Sequence, residues 1–271
     1  MEYFFYVFAG VIAGYWLGRP VRAFWRRRRL AGKPFPESWL PIVARALPPF
    51  SRMGSELQQQ LLKKVQLFIA EKNFEGCGGL VITDEIRVTI AAQACLLLLN
   101  RRIACYPQLE TILVYPTAYE DNKRRMINTQ EDNLGPRVGE SWQAGSVVLA
   151  WDHVIAGVTN YQDGHNVTFH EFAHQLDQLD GSADGAPPLA SWSAAVIWAR
   201  VFTSEYEKLN AELRSGRKSI IDSYGATHPA EFFAVATEAF FEKPRQLSQK
   251  HPALYNELKQ YYAVDPLEWL E

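Results

Sequence analysis

The sequence predicts an α+β fold, mainly helical with a small mixed sheet, on three observations. Apolar residues recur at helical spacings of three and four over most of the chain beyond residue 54. Only two short stretches, residues 111–115 (TILVY) and 146–152 (SVVLAWD), have the β-branched, compact character of strands. Hydrophobic residues make up 48% of the 271 positions, enough to bury one large core or two small ones.

At the N-terminus, residues 3–18 (YFFYVFAGVIAGYWLG) carry no charge, and Arg19, Arg22 and the run Arg26-Arg27-Arg28-Arg29 follow them. A membrane span needs roughly 17–25 apolar residues, a length reached if the stretch continues to Trp25 with Arg19 and Arg22 snorkelling to the headgroups. A cleavable signal peptide would have its charges before the apolar stretch, and positive charge after it predicts a cytoplasmic body. The expectation is therefore a cytoplasmic protein held at the inner membrane by residues 3–25. The alternative is a soluble chain whose apolar helix lies on the core or on a membrane surface. The arginine run suits anionic lipid, whereas a net charge of −2 gives no general affinity for nucleic acid. Cys77, Cys95 and Cys105 form no CxxC and read as reduced, structural thiols. The organisation expected is residues 1–30 as an apolar segment with an arginine run, 31–53 as a proline-rich linker, and 54–271 as the main domain.

Within that domain, Leu57, Leu61, Leu62, Val65, Phe68 and Ile69 lie on one face of a helix over about 54–72. Gly76-Cys77-Gly78-Gly79 is a turn. Thr83 caps a helix running from Asp84 to about Asn100, with Ile86, Ile90, Ala94, Leu97 and Leu98 inward. Residues 119–142 are polar and read as a long loop. The second strand, 146–152, precedes the helix that carries the chemistry, so its edge is a candidate surface for peptide addition, with an ordinary core strand as the alternative. Residues 189–214 are helical by pattern, with Trp192, Val196, Ala199, Phe202, Tyr206, Leu209 and Leu213 inward. Pro229 opens a further helix reaching about Phe241, and residues 254–262 form a short last one.

The chemistry resides in His170-Glu171-Phe172-Ala173-His174, an HExxH. On a helix its two histidines sit one turn apart on one face, so both imidazoles reach one ion, and Glu171 lies beside them as a general base. Asn166 to Thr168 start that helix, Phe169, Phe172, Ala173 and Leu176 give it an apolar face, and Gly181 ends it. This is the zincin arrangement, and Zn2+ is the ion expected. Such a site needs a third protein ligand and one open position. Asp177, Asp180, His228, Glu231, Glu238 and Glu242 are the downstream candidates. Glu231 is preferred: it opens a helix whose neighbours bury it, and a buried carboxylate needs a partner. Glu238, seven residues on along the same face, is the runner-up or a supporting acceptor. Asp177 shares the face of His170 and His174 and reads as a supporting acceptor for a ligand imidazole or a nearby donor. His153 and His165 read as loop or packing residues, and His228 and His251 as structural ones.

These motifs, with Ser223-Tyr224-Gly225-Ala226-Thr227-His228-Pro229-Ala230-Glu231-Phe232-Phe233-Ala234, closely resemble the Mlc titration factor A family of bacterial zinc peptidases. The second segment is also similar to the metal-binding helix of the anthrax lethal factor protease domain. The likeness extends through Phe74-Glu75-Gly76-Cys77-Gly78-Gly79 and Thr89-Ile90-Ala91-Ala92-Gln93-Ala94-Cys95. It implies a gluzincin-type site in which His170, His174 and Glu231 bind zinc, Glu171 is the base and Tyr224 donates to the oxyanion. Without the resemblance, Tyr224 would read as a packing tyrosine in a turn. The implied activity is hydrolysis of peptide or protein substrates, aminopeptidase-like. The resemblance also implies an alternative role, sequestration of a transcriptional repressor of the Mlc type. Residues 1–34 depart from the family pattern.

Overall fold

The computed structural model describes residues 32–101, 105–117 and 145–270. The chain divides into two units, Met1–Glu37 and Ser38–Glu271, and the second holds every element below. The apolar segment and the long polar loop expected at 119–142 lie outside the described residues. Among the described residues no helix is long and apolar enough to cross a membrane.

Residues 38–53 differ from the linker expected there. Helix α1 (Leu40–Ala46) and a 3-10 turn (Pro48–Arg52) form in this stretch, and Ile42, Val43, Ala46 and Leu47 are buried. The prolines occupy first-turn positions, where a missing N–H is no loss, so they start these helices rather than break them. Arg45 reaches Glu85 at 2.8 Å, and the Trp39 indole donates to Asp84 at 3.0 Å.

Helix α2 (Ser55–Glu71) buries Leu61, Val65 and Phe68. Strand β1 (Asn73–Gly76) follows, too short and polar to be seen as a strand from its pattern. Helix α3 (Asp84–Leu96) is capped by the Thr83 side chain, as its sequence predicts. It is not amphipathic in the structure. Every residue from 88 to 99 is buried, because α1 and α2 pack on one side and the HExxH helix on another. Strand β2 (Thr111–Tyr115) pairs with β1 and with β3 (Ser146–Ala150), in register Asn73↔Thr111 and Thr111↔Ser146. All described pairings are parallel, which corrects the mixed sheet expected. Each parallel neighbour needs a long crossover, and α3 lies within the first.

Six α-helices follow β3 among the described residues. Helix α4 (Trp151–Thr159) takes Trp151 and Asp152, where the sequence predicts the end of the strand. Then come α5 (Val167–Asp177), α6 (Trp192–Arg214), α7 (Pro229–Glu242), α8 (Pro244–Lys250) and α9 (Pro252–Tyr262). Helix α6 buries Trp198, Phe202 and Leu209, whereas Trp192 is 83% exposed and Val196 and Leu213 also face solvent, unlike the inward stripe expected. The aromatic rings of α7 explain that choice. Phe232 and Phe233 meet Phe202 and Trp198, while Phe240 stacks on Tyr262 of α9. Helix α5 turns Phe172 onto Phe68 and Tyr106 and Phe169 onto Phe241. The two helices that bear the candidate ligands thus meet directly, through the Phe169–Phe241 ring pair, and each is held by further aromatic contacts.

Candidate metal centre

Asn166 starts α5 and does more than cap it. Its side-chain oxygen accepts from the Phe169 N–H at 3.1 Å. Its own N–H donates to Glu238 and its side-chain amide donates to Glu242 at 3.1 Å, both on α7. Glu242 also accepts from the Gly164 N–H at 2.9 Å. Two carboxylates of α7 therefore hold the chain where α5 begins. At its other end α5 passes through a 3-10 turn (Gln178–Asp180) to Gly181, at φ 95°, the left-handed terminus its glycine allows.

One turn apart on α5, the His170 and His174 Nε2 atoms lie 3.2 Å from each other. Glu231, in the first turn of α7, brings its Oε2 to 3.0 Å from His170 and 3.3 Å from His174. His228 caps that helix by accepting from the Ala230 N–H at 3.2 Å, leaving Pro229 at the first helical position. Among the described residues this is the group of His, Cys, Asp or Glu donors placed to hold a cation. Bonds of about 2.0–2.1 Å in a tetrahedron give ligand–ligand edges of about 3.3 Å. The three separations match those edges, and two imidazoles with one carboxylate suit a four-coordinate divalent cation that keeps one open position.

The surroundings arrange charge. Against the upward push of burial, hydrogen bonds from His170 and His174 hold the Glu231 carboxyl below the usual carboxylate range. Burial opposes a proton on His170, but Glu231 and Glu238 raise it well above the ordinary imidazole value. That proton must leave when a cation binds. Glu238 accepts at 2.8 Å from His170 Nδ1, the ring nitrogen facing away from the trio, and so fixes which nitrogen points inward. Glu171 is 6% exposed. Burial pushes its carboxyl up to about 8, with His170 opposing.

Tyr224 lies on a 3-10 turn (Ser223–Ala226), half exposed, its ring centroid 6.0 Å from that of His170. Burial, then Glu231 and Glu171, push its hydroxyl up to about 12, so it keeps its proton. Asp222 holds the turn: one oxygen accepts from the Tyr224 N–H at 2.6 Å and the other lies 3.2 Å from His165 Nδ1. Gly225 is buried, and a β-carbon there would come within 2.5 Å of Val235, so this turn needs glycine to lie against α7.

Of the two partners expected for Asp177, a ligand imidazole or a nearby donor, the structure provides the nearby donor. It is fully buried and takes the Gly185 N–H at 2.9 Å, and burial lifts it to about 7. Gly185 in turn accepts the Trp198 indole N–H at 3.0 Å, and a β-carbon on it would lie 2.4 Å from the Pro229 carbonyl oxygen. Asp177 thus anchors the loop against which the Glu231 helix starts. Asp180 bonds its own turn through Ser182, and His251 pairs with Glu205 at 2.6 Å.

Glu242 appeared in the sequence only as one more candidate ligand. The signal for its real position was a carboxylate in the last turn of an apolar helix, where the helix dipole disfavours it and a donor must be supplied. Its burial gives a test. A carboxyl raised from 4.5 to about 8 binds its proton more tightly folded than unfolded, so the stability this provides is full below pH 4.5 and is lost as pH rises toward 8. Metal-free Glu242→Gln protein is expected to lose less melting temperature than the parent between those pH values. Parallel curves in a thermal-melt pH series would reject the assignment.

The sequence model of the family described as glucose-regulated metallo-peptidase M90 matches residues 22–263. An uncharacterized protein of Synechocystis sp., slr2042, is 43% identical over 266 residues, covering 96% of each chain. Mlc titration factor A of Serratia proteamaculans is 31% identical, covering 84% of this chain and 88% of its own. Mlc titration factor A of Edwardsiella ictaluri is 31% identical, covering 88% and 89%.

Proposed function

The chain belongs to the glucose-regulated metallo-peptidase M90 family, and from that premise we propose that it is a zinc-dependent peptidase of the gluzincin type, aminopeptidase-like, working through the His170–His174–Glu231 centre. The observation that carries the reading is the convergence of three donor atoms at the edge lengths of a small tetrahedron, between 3.0 and 3.3 Å. Zinc held there supplies Lewis-acid activation of water and of the scissile carbonyl. The chain's own groups do the rest. Glu171 takes the proton of the attacking water and passes it to the leaving amine. Tyr224 keeps its proton at neutral pH and directs it at the oxygen where negative charge develops. Glu238 keeps the His170 ring oriented throughout.

Metal analysis of the purified protein, combined with cleavage profiling on a peptide library, tests the proposal; a zinc-loaded protein that cleaves nothing overturns it. The Tyr224→Phe protein is expected to bind zinc normally and to lose about 100- to 1,000-fold in kcat, the usual effect of removing one oxyanion donor. An unchanged kcat would return Tyr224 to a packing role.

A second reading is favoured by the relatives named Mlc titration factor A. In it the chain binds a repressor protein of the Mlc type, and the metal centre is secondary. Capture of such a partner by Glu171→Gln protein, before and after chelation, separates the two roles.

A further inference from the structure

A cavity of about 340 Å³ lies beside the start of the Tyr224 turn, at Asp222 and Ser223. Arg217, Lys218 and Lys243 line it, together with His165, Asp222 and Ser223. Three basic side chains meet one carboxylate there, and that carboxylate is already engaged by His165 and by the Tyr224 N–H. Lys243 lies over Gly164, where a β-carbon would come within 2.9 Å of its ammonium nitrogen, so glycine at φ 76° lets the lysine lie this close. The volume is in the range of about 300–1,000 Å³ that small ligands occupy.

Two lining residues, Ser223 and His165, are the sequence neighbours of residues that bear on the metal centre. Ser223 precedes Tyr224, whose ring is 6.0 Å from that of His170. His165 precedes Asn166, which Glu238 joins to His170. Peptide in extended form rises about 3.4 Å per residue, the scale of the step from the Tyr224 ring, 6.0 Å from His170, to the neighbouring lining residue Ser223.

We infer that this cavity is a subsite for an anionic side chain of the peptide substrate, a glutamate or aspartate a few residues from the cleaved bond. The inference rests on the peptidase reading and adds a substrate class to it. Carboxylate recognition by an arginine and two lysines is the chemistry that the lining offers.

The test uses eight-residue alanine-glycine peptides with a single Glu, or its neutral isostere Gln, moved through each position. Binding of the fluorescein-labelled peptides to zinc-loaded Glu171→Gln protein is read by anisotropy, and kcat/KM is measured on the parent enzyme. At one or two positions Glu is expected to bind roughly fivefold or more tighter than Gln, the scale of one well-placed ion pair. The preference should shrink in R217Q/K218Q and invert in R217E/K218E/K243E, with Gln peptides bound as before. The neutralised double variant guards against misfolding of the triple one. Inorganic phosphate should weaken binding of the Glu peptide alone. Equal binding of Glu and Gln peptides everywhere, or a Glu preference that survives charge reversal, overturns the subsite. So does phosphate that changes cleavage of Gln peptides while leaving Glu-peptide binding intact, since the cavity would then take a free anion. Selective binding without cleavage of any peptide would keep the subsite and defeat the peptidase reading; cleavage without selectivity would do the reverse.

Discussion

Replacing Glu171 by Gln is expected to leave zinc stoichiometry at one per chain and to lower peptide hydrolysis by about 100- to 10,000-fold, the range that a positioned general base supplies. The two halves of that outcome have separate causes. Gln matches Glu in shape, and the position is 6% exposed beside Phe172 and Ala173 of the packed face, so the helix and its two imidazoles stay where they are. Glu171 is not among the three converging donors. What is lost is the capacity to accept a proton from water. Zinc lost along with activity would make Glu171 a ligand, and activity retained would remove it from the reaction. Metal analysis and initial rates on one preparation give both readings.

The second large effect is that of Glu231→Ala. Its carboxylate lies within reach of both Nε2 atoms, at 3.0 and 3.3 Å. Removing it leaves two imidazoles, and zinc affinity is expected to fall by more than about 100-fold, the upper end of what losing a mere supporting contact brings. Activity should vanish with the metal. Glu238 is unable to substitute in place. One of its oxygens holds His170 Nδ1 and the other takes the Asn166 N–H, both on the side of the ring away from the trio. Zinc retained in Glu231→Ala would mean that Glu238 had swung across, and the ligand assignment would move to it.

Much of this centre was legible in the chain itself, because its pieces are local. An HExxH, an asparagine cap before it, a glycine after it and an apolar face at spacings of three and four specify a helix with two imidazoles on one side. Pro229 at a helix start, with Glu231 two residues on, specifies a carboxylate in a first turn. The parts that were not legible depend on what lies opposite in space. In helix α3 the small apolar run Ala91 to Cys95 suits close approach of another helix, but that residues 88–99 are covered on every side depends on which elements lie opposite. Strand β1 has no β-branched residue and exists because β2 offers an edge. Pro41, Pro48 and Pro49 are breakers in a linker and starters in a packed helix, and only the burial of Val43 and Leu47 against the body distinguishes the two. Asp177 lies on the ligand face by periodicity, yet the loop that returns at Gly185 captures it. The embrace of Asn166 by Glu238 and Glu242 spans 72 and 76 residues, and no local pattern encodes a contact of that range.

The central claim is that two histidines of α5 and one glutamate of α7 jointly hold a single zinc ion. An anomalous difference map measured across the zinc absorption edge on crystals of the zinc-loaded protein tests it most directly. One peak should lie about 2.0–2.2 Å from His170 Nε2, His174 Nε2 and the nearer Glu231 oxygen. A map with no peak there, or with its only strong peak bound by other side chains, would contradict the account.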